Sequence, residues 1–528
     1  MVAALELAQH GVPCIVVEQA ERTTEHPKMD IVNTRSMELL DRLGLAEPIR
    51  AAGVGAEHPS DVIWSTGLAG EPITTWHQPS VAQFWQRIHD DNDGSQPAQP
   101  WQRLSQIALE PLLRQRCRRH PLIDLRCGWR LTAVDQDLRG VTSTLEIVGQ
   151  AAEASIRSEY LLGCDGAASQ VRQAIGVDLT NFAVPDLAAA YMIHFRSHDL
   201  GTLHRHGRFW HYFAFRYVIL AQDEVDSWTL HVNSDDAREF DTPPADPARF
   251  LRQVLGTDLR VEAIELTSRW RPNFALAERY RRGRVLLAGD AAHQMFPTGG
   301  YGMNTGIADA VDAAWKLAML VNRLGGSTLL DSYDCERRPV ALRNLYMSRR
   351  HLDIHMTAGQ RVRNGTPLSE VAAFLQAERG ENEYAGIELG YRYNDSPIVW
   401  RDSGVEPTWR PQRYTPTSWP GGRPPSVLME DGRSIFNQFG NWFTLVDFVG
   451  DGRANELLHA AAGRGLPMRH VMVRSDSVRE LWERDLVLVR PDQHIGWRGN
   501  RPPQDADAVL AHLVGRCERS PCGIREGR

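Results

Sequence analysis

The sequence predicts an α/β protein: a Rossmann-like unit interleaved with a β-rich region, followed by a smaller βαβ-like unit. Three observations carry this. The chain opens on a helix–strand pair that ends in an acid. A series of strand, acid, glycine turn and helix fills 283–318. Alternating aromatic runs occupy 168–280, and short apolar runs alternate with helical ones over 426–514.

In MVAALELAQHGVPCIVVEQ, Val2, Ala3, Ala4, Leu5, Leu7 and Ala8 give an apolar helix, and Gly11 stands where helices commonly end. Cys14 to Val17 reads as a buried strand with Glu18 at its carboxyl end. A Rossmann unit places an acid there, on a ribose hydroxyl, and a Gly-rich turn before the helix. Only Met1 precedes Val2. Two expectations follow: the stated start lies downstream of the true one, or the chain is a truncated form without the central strand and phosphate cradle. The later motifs are intact, which favours the first.

Helix and strand alternate to about residue 60, and 64–101, rich in Trp, Gln, Asp and Pro, reads as irregular. Helical pattern returns over 104–119, and strand-like runs fill 122–164. AYMIHF, RFWHYFAF and WTLHV are strands, 303–323 is a long helix and 328–390 is helical. RPQRYTPTSWPGGRPP (410–425) reads as a linker, and 515–528 as a disordered tail.

Composition narrows the function. The 528 residues carry a net charge of −7 and no Lys/Arg-rich block, which argues against a nucleic-acid partner. No apolar run reaches the length of a membrane span, and the first helix lacks a basic leader. Seven scattered cysteines, none in CxxC spacing, fit a cytoplasmic location without a disulfide framework or metal site.

Three segments carry chemistry. LLGCDGAASQVRQAIG (161–176) ends a strand at an Asp165-Gly166 turn that can accept hydrogen bonds, although Asp-Gly turns are common. In GRVLLAGDAAHQMFPTGGYGMNTGIADAVDAAWKLA (283–318), Asp290 leaves the carboxyl end of a strand and Pro297 leads into glycines. Those glycines open a helix at Met303-Asn304, so amides and the helix dipole face an anionic group. The third segment, PKMDIVNTR, places Asp30 five residues before Arg35. Read from its neighbours alone, Asp30 caps a turn or a helix start before Ile31.

GCDGAASQVR and GRVLLAGDAAH…P…GGYGMNTGIADAVDAAWKLA resemble the downstream signatures of the FAD-dependent aromatic hydroxylases, the single-component flavoprotein monooxygenases. VPCIVVEQ, NTRSMELLDRLGL (33–45) and RLSQIALEPLL (103–113) are similar to further family segments, and LGYRYNDSPIV (389–399) and 426–514 resemble the phenol hydroxylase branch. Tyr301 departs from the Gln that is common there.

The resemblance implies an FAD-binding domain at 1–70, 101–167 and 281–330, a substrate domain at 71–100 and 168–280, and a helical region at 331–409. It also implies a thioredoxin-like domain at 426–514, which lacks cysteine and so serves structure or homodimerisation. FAD would be held by Glu18, Arg35, Gln106, Asp165, Asp290, Pro297, Gly302, Met303 and Asn304. NADPH or NADH would visit transiently as reductant, and O2 would be the oxidant. The implied activity is hydroxylation of a phenolic or polycyclic aromatic ring through a flavin C4a-hydroperoxide, without a metal. Asp30 would assist as general base, with partial burial raising its pKa toward usefulness.

His211 and Tyr212 would line the substrate pocket, although alternation sends half of their strand into core. His204 and His206 read as solvated loop, and Trp315 and Lys316 as packing and snorkelling. Two alternatives stay open: a Baeyer–Villiger or epoxidising enzyme of the same fold in natural-product biosynthesis, and a non-catalytic truncated scaffold. A halogenase is disfavoured by the absence of a WxWxIP-like stretch.

Overall fold

The computed structural model describes residues 1–182, 189–233, 242–271 and 273–516. Of the expected disordered tail 515–528, residues 517–528 lie outside the described ones.

Val285–Leu287 is fully buried, as parallel pairing in a covered sheet demands, whereas Cys14–Glu18, expected to be a buried strand, is only half-buried and exposes Ile15. Cys14–Glu18 pairs in parallel with Ile123–Cys127, setting Glu18 opposite Cys127. Leu161–Gly163 pairs in parallel with Val285–Leu287, setting Gly163 opposite Leu287, and Arg281–Arg282 adds an antiparallel edge. Leu7 of helix Val2–Gln9 and Leu162 touch the apolar clusters of both groups, so the core is continuous between them. Asp165 and Asp290 follow the carboxyl ends of neighbouring strands, where open α/β sheets place ligands.

A seven-stranded sheet runs in the order Ala263–Trp270, Ala190–Arg196, Ser227–Asn233, Tyr217–Ala221, His211–Ala214, Val62–Ser65, Pro72–Trp76. Directly opposed residues share a face, so register sorts the side chains. Ile63, Tyr212, Ile219, Leu230 and Ile193 lie in one row and bury against helix Pro247–Leu255. On the other face Phe213, Val218, His231, Met192 and Ser268 form one row, and His211, Leu220, Thr229 and His194 the next.

This sheet corrects two expectations. The domain break at 70/71 would split the antiparallel hairpin Val62–Ser65 and Pro72–Trp76, so the break falls before Val62. The stretch 64–101 is not irregular either: it holds helix Val81–Asp91, opened by a reciprocal Ser80–Gln83 capping box.

The C-terminal strands run in the order Met468–Met472, Phe443–Asp447, Leu486–Val489, Ile495–Gly499, with the first two parallel and the rest antiparallel. Helices Asn455–Gly463, Asp476–Trp482 and Ala506–Leu513 connect or follow them, the arrangement of a thioredoxin-like unit. The 410–425 segment is no free tether. Arg423 is buried in it and its guanidinium pairs with Glu38 of helix Thr34–Asp41. Lys316 also departs from expectation: fully buried, it bonds Asp312 at 2.7 Å and Glu336 at 2.6 Å rather than snorkelling.

Candidate active site

Helix Tyr301–Val321 starts on two left-handed glycines, Gly299 (φ 80°) and Gly300 (φ 63°). Only glycine adopts these cheaply, and the turn delivers the helix start with no side-chain cap. A Cβ added at Gly302 meets nothing within 4 Å, so the first turn faces open space. Thr298 Oγ1 donates to the Ser348 carbonyl at 2.7 Å, and Glu381 accepts from the Gly299 amide at 3.0 Å. Glu381 also binds His355 Nε2 at 2.6 Å. Burial alone would raise Glu381, but the charge and hydrogen bond of His355 dominate and bring it to about 2.

The two strand-end turns are tied together. Arg172 donates to the carbonyls of Ala167 (3.2 Å) and Ala291 (3.1 Å), and Gln294 donates to Ala167 at 2.9 Å. Behind them Asp309, fully buried, accepts from His293 (2.8 Å), Arg337 (2.8 Å) and the Gly289 amide (3.2 Å). Burial pushes Asp309 up, but the charges of Arg337 and His293 hold it below the usual carboxylate range.

Asp30 meets the polar face of the seven-stranded sheet. Its Oδ2 accepts from His211 Nε2 at 2.6 Å and from Trp210 Nε1 at 2.9 Å. The Asp30 carboxylate holds a proton on His211 Nε2, and His211 Nδ1 is buried without a hydrogen-bond partner among the described residues. Burial alone raises Asp30, but the His211 charge and the two hydrogen bonds outweigh it, so its pKa is lowered. The expected upward shift is therefore corrected: the pair with His211 overrides desolvation. Along the same face Trp270 Nε1 donates to His231 Nδ1 at 3.2 Å, and burial brings His231 down to about 4, leaving it neutral with its proton on Nε2.

The remaining expected residues divide. Asp290 and Pro297 are exposed, and Asp290 has no hydrogen-bond or ion-pair partner among the described residues. Glu18, half-buried, accepts from the Ala20 amide at 2.8 Å, which uses one of its oxygens. Asp165 caps its own turn, accepting from Ser169 Oγ at 2.5 Å and the Val171 amide at 3.0 Å. Asn304 clamps the strand Ile31–Val32, which follows Asp30, to the helix, accepting from the Asn33 amide at 3.0 Å and donating to Ile31 and Gly300. Met303 and Gln106 are half-buried.

The Arg35 guanidinium bonds Glu38 and Gln493 at 2.9 Å each and the Asp492 carbonyl at 2.7 Å, tying it to the C-terminal unit, while its Nε is buried without a hydrogen-bond partner among the described residues. Tyr212 is corrected. It points to the opposite, apolar face of the sheet from His211, bonding Gly67 and His206. His206 and His204 pack on aromatic rings there rather than on a solvated loop.

Sequence reasoning missed Trp210, Glu381, His355, Asp309 and Glu388. Asp309 alone carried a signal, as one of two acids, with Asp312, on the otherwise apolar stretch GIADAVDAA. Glu388, half-buried, accepts from Thr34 Oγ1 at 2.6 Å and from the Thr34 amide at 3.2 Å, and burial pushes it up to about 7.

These groups fit FAD. An uncapped helix start with open space over Gly302 suits an anionic ring edge, and a partner-free Asp290 at a strand end suits ribityl hydroxyls. Among the described residues no helix is long and apolar enough to cross a membrane.

Residues 1–348 match the family model of the FAD binding domain, and 417–517 match that of the aromatic-ring hydroxylase C-terminal domain. The FAD-dependent monooxygenase apdD of Emericella nidulans is 34% identical over 98% of this chain and 88% of its own length. The 4-methyl-5-nitrocatechol 5-monooxygenase of a Burkholderia species is 30% identical over 97% of this chain and 94% of its own. A ternary complex of aklavinone-11 hydroxylase with FAD and aklavinone superposes with a TM-score of 0.80 at 28% identity, covering 97% of this chain and 96% of that one.

Proposed function

The chain belongs to the FAD-dependent aromatic-ring hydroxylases, and from that premise we propose that Asp30 is the residue that activates the ring. The enzyme is an FAD-dependent monooxygenase that hydroxylates aromatic and polycyclic substrates. The observation that carries the role of Asp30 is its setting. Oδ2 is occupied by His211 and Trp210, while Oδ1 has no protein hydrogen bond among the described residues.

When bound, FAD supplies the passage of two electrons from NADH or NADPH and the activation of O2. The chain's own residues do the rest. Glu18, Gln106, Asp290, Pro297 and the Gly302–Asn304 turn hold the cofactor, with the Asp165 turn supporting it. Asp30 Oδ1 accepts the hydrogen bond of a phenolic hydroxyl and draws its proton, which enriches the ring's ortho and para carbons in electrons. Since Asp30 is held ionised, it works by strong hydrogen-bond acceptance rather than by an elevated pKa. Half-buried Val218, Leu220, His231 and Trp270 give the ring an apolar bed with a neutral imidazole donor beside it.

The C-terminal unit acts in structure or homodimerisation, supported by its lack of cysteine. A cytoplasmic location is supported by the scattered cysteines. The test is to supply the chain with FAD, NADPH or NADH, O2 and a panel of phenols and hydroxylated polycycles, and to follow product mass. Gain of one oxygen atom is expected. Reductant consumption with no oxygenated product from any phenol would sink the reading.

A further inference from the structure

Residues 379–384 wall one side of the glycine turn. Gly380 has φ 157° and Asn382 φ 61°, the latter in the left-handed region. The segment is held from several sides. Glu381 accepts from the Gly299 amide and pairs with His355, Gln78 Nε2 donates to the Glu381 carbonyl, and Arg379 pairs with Glu383. Asn is among the side chains that tolerate this backbone best, so the conformation alone demands no further explanation. Its carboxamide does.

Asn382 is 6% exposed, and its Oδ1 has no hydrogen-bond partner among the described residues. A Cβ added at Gly300, the residue that opens helix Tyr301–Val321, would lie 3.5 Å from that oxygen and 2.8 Å from Ile31 Cγ2. The oxygen is thus aimed at an uncapped helix start, beside the strand that follows Asp30. A buried acceptor without a donor is destabilising and rare in native proteins. Here the surrounding anchors over-determine it, as they do at functional sites.

We propose that Asn382 is a ligand-binding residue whose carboxamide oxygen accepts a hydrogen bond from an N–H or O–H of the molecule seated on the glycine turn. The donor is either the ring imide of FAD or a hydroxyl of the aromatic substrate. This rests on the FAD-dependent reading above.

Asn382→Gly separates ligand contact from backbone conformation, because glycine keeps φ 61° without strain. The full chain and the variant are melted without ligand and titrated with FAD. The FAD-loaded proteins are then titrated with 1,8-dihydroxyanthraquinone. The expected result is an unchanged or higher ligand-free Tm with about tenfold weaker binding of one of the two probes, the size of one lost hydrogen bond. Weaker FAD binding identifies the imide as donor, and weaker binding of the quinone identifies the substrate hydroxyl. Asn382→Asp, which keeps an acceptor, retains the affinity.

Asn382→Gly binding both probes as tightly as the parent overturns the inference alone. A ligand-free Tm that falls along with affinity assigns Asn382 to the fold and overturns it too. A parent chain that binds no FAD overturns both the inference and the reading beneath it.

Discussion

The first turn and the body of helix Tyr301–Val321 treat polar groups in opposite ways. Beyond its second turn, Asp309, Asp312 and Lys316 are almost fully buried, and each is paired. Asp309 meets Arg337 and His293, while Asp312 meets Lys316. Glu336 and Arg490 extend this network to the C-terminal unit. In its first turn no side chain caps the amides, Gly302 faces open space, and neighbouring Asp290 and Asn382 Oδ1 lack partners among the described residues. One helix therefore carries a region where polarity is satisfied inside the chain and a region where it waits for something outside. The first kind holds domains together, and the second is where we propose that ligand binds.

The largest effect is expected where satisfaction is complete. Arg490 donates to both oxygens of Glu336 and to Asp492 at 2.7–2.8 Å, all fully buried. Arg490→Met leaves three buried carboxylates, Asp312, Glu336 and Asp492, to share the charge of Lys316, and breaking a buried pair from one side costs roughly 3–5 kcal/mol. Urea unfolding reads this directly. A loss below about 1 kcal/mol, the level of an exposed pair, would break the comparison.

At Asp30 the expected loss falls on chemistry. Asp30→Asn keeps an acceptor for the His211 and Trp210 N–H groups, so the fold suffers little, while oxygenated product falls about 10²- to 10⁴-fold. The His211 pair lowers the Asp30 pKa, so the carboxylate is ionised throughout the neutral range and loses its charge only in acid. The acid limb of kcat/KM assigned to Asp30 should lie below about pH 4. A limb near pH 6 that vanishes in Asp30→Asn would show that desolvation wins after all.

What could be read in the sequence follows from how local each cause is. Asp290, the glycines before Met303 and the acid Glu18 are set by strand–turn–helix patterns within about a dozen residues, so their placement at strand ends was legible. Helix Val81–Asp91 was also local, through Ser80 and Gln83, but its aromatic-rich text hid the period. Tyr212 against His211 is a matter of strand phase, which only register with the neighbouring strand fixes. Arg35 and the downward shift of Asp30 depend on partners 458 and 181 residues away, and Glu381 meets Gly299 across 82 residues. No spacing rule reaches that far.

Glu388 sharpens the comparison with an intermediate effect, because it is hydrogen-bonded yet badly solvated. Burial raises its pKa from 4.5 to about 7, so between these values the folded state holds a proton that the unfolded state has released. Stability from this group is present below about pH 4.5 and is lost as pH rises to about 7. Glu388→Gln removes the ionisation and keeps an acceptor for Thr34, so it should stabilise the protein at pH 8 by roughly 1–3 kcal/mol and do nothing at pH 4. Equal unfolding midpoints for variant and parent at pH 8 would show the carboxylate to be solvated, moving it to the open region.

The smallest effect on the fold is the most discriminating. Asp290 is exposed and partner-free among the described residues, so Asp290→Ala removes no interaction from the ligand-free protein. Stability should move by no more than about 0.5 kcal/mol, as for an ordinary surface change. If the carboxylate is kept for ribityl hydroxyls, affinity for FAD should nevertheless drop about tenfold, close to 1.4 kcal/mol, on losing a charged hydrogen bond. Paired measurements of ligand-free Tm and FAD affinity then place Asp290 opposite Arg490, which costs stability with or without ligand. Should Asp290→Ala bind FAD as the parent does, an unmet polar group in this turn is no marker of ligand contact, and the division of the helix into first turn and body loses its functional meaning.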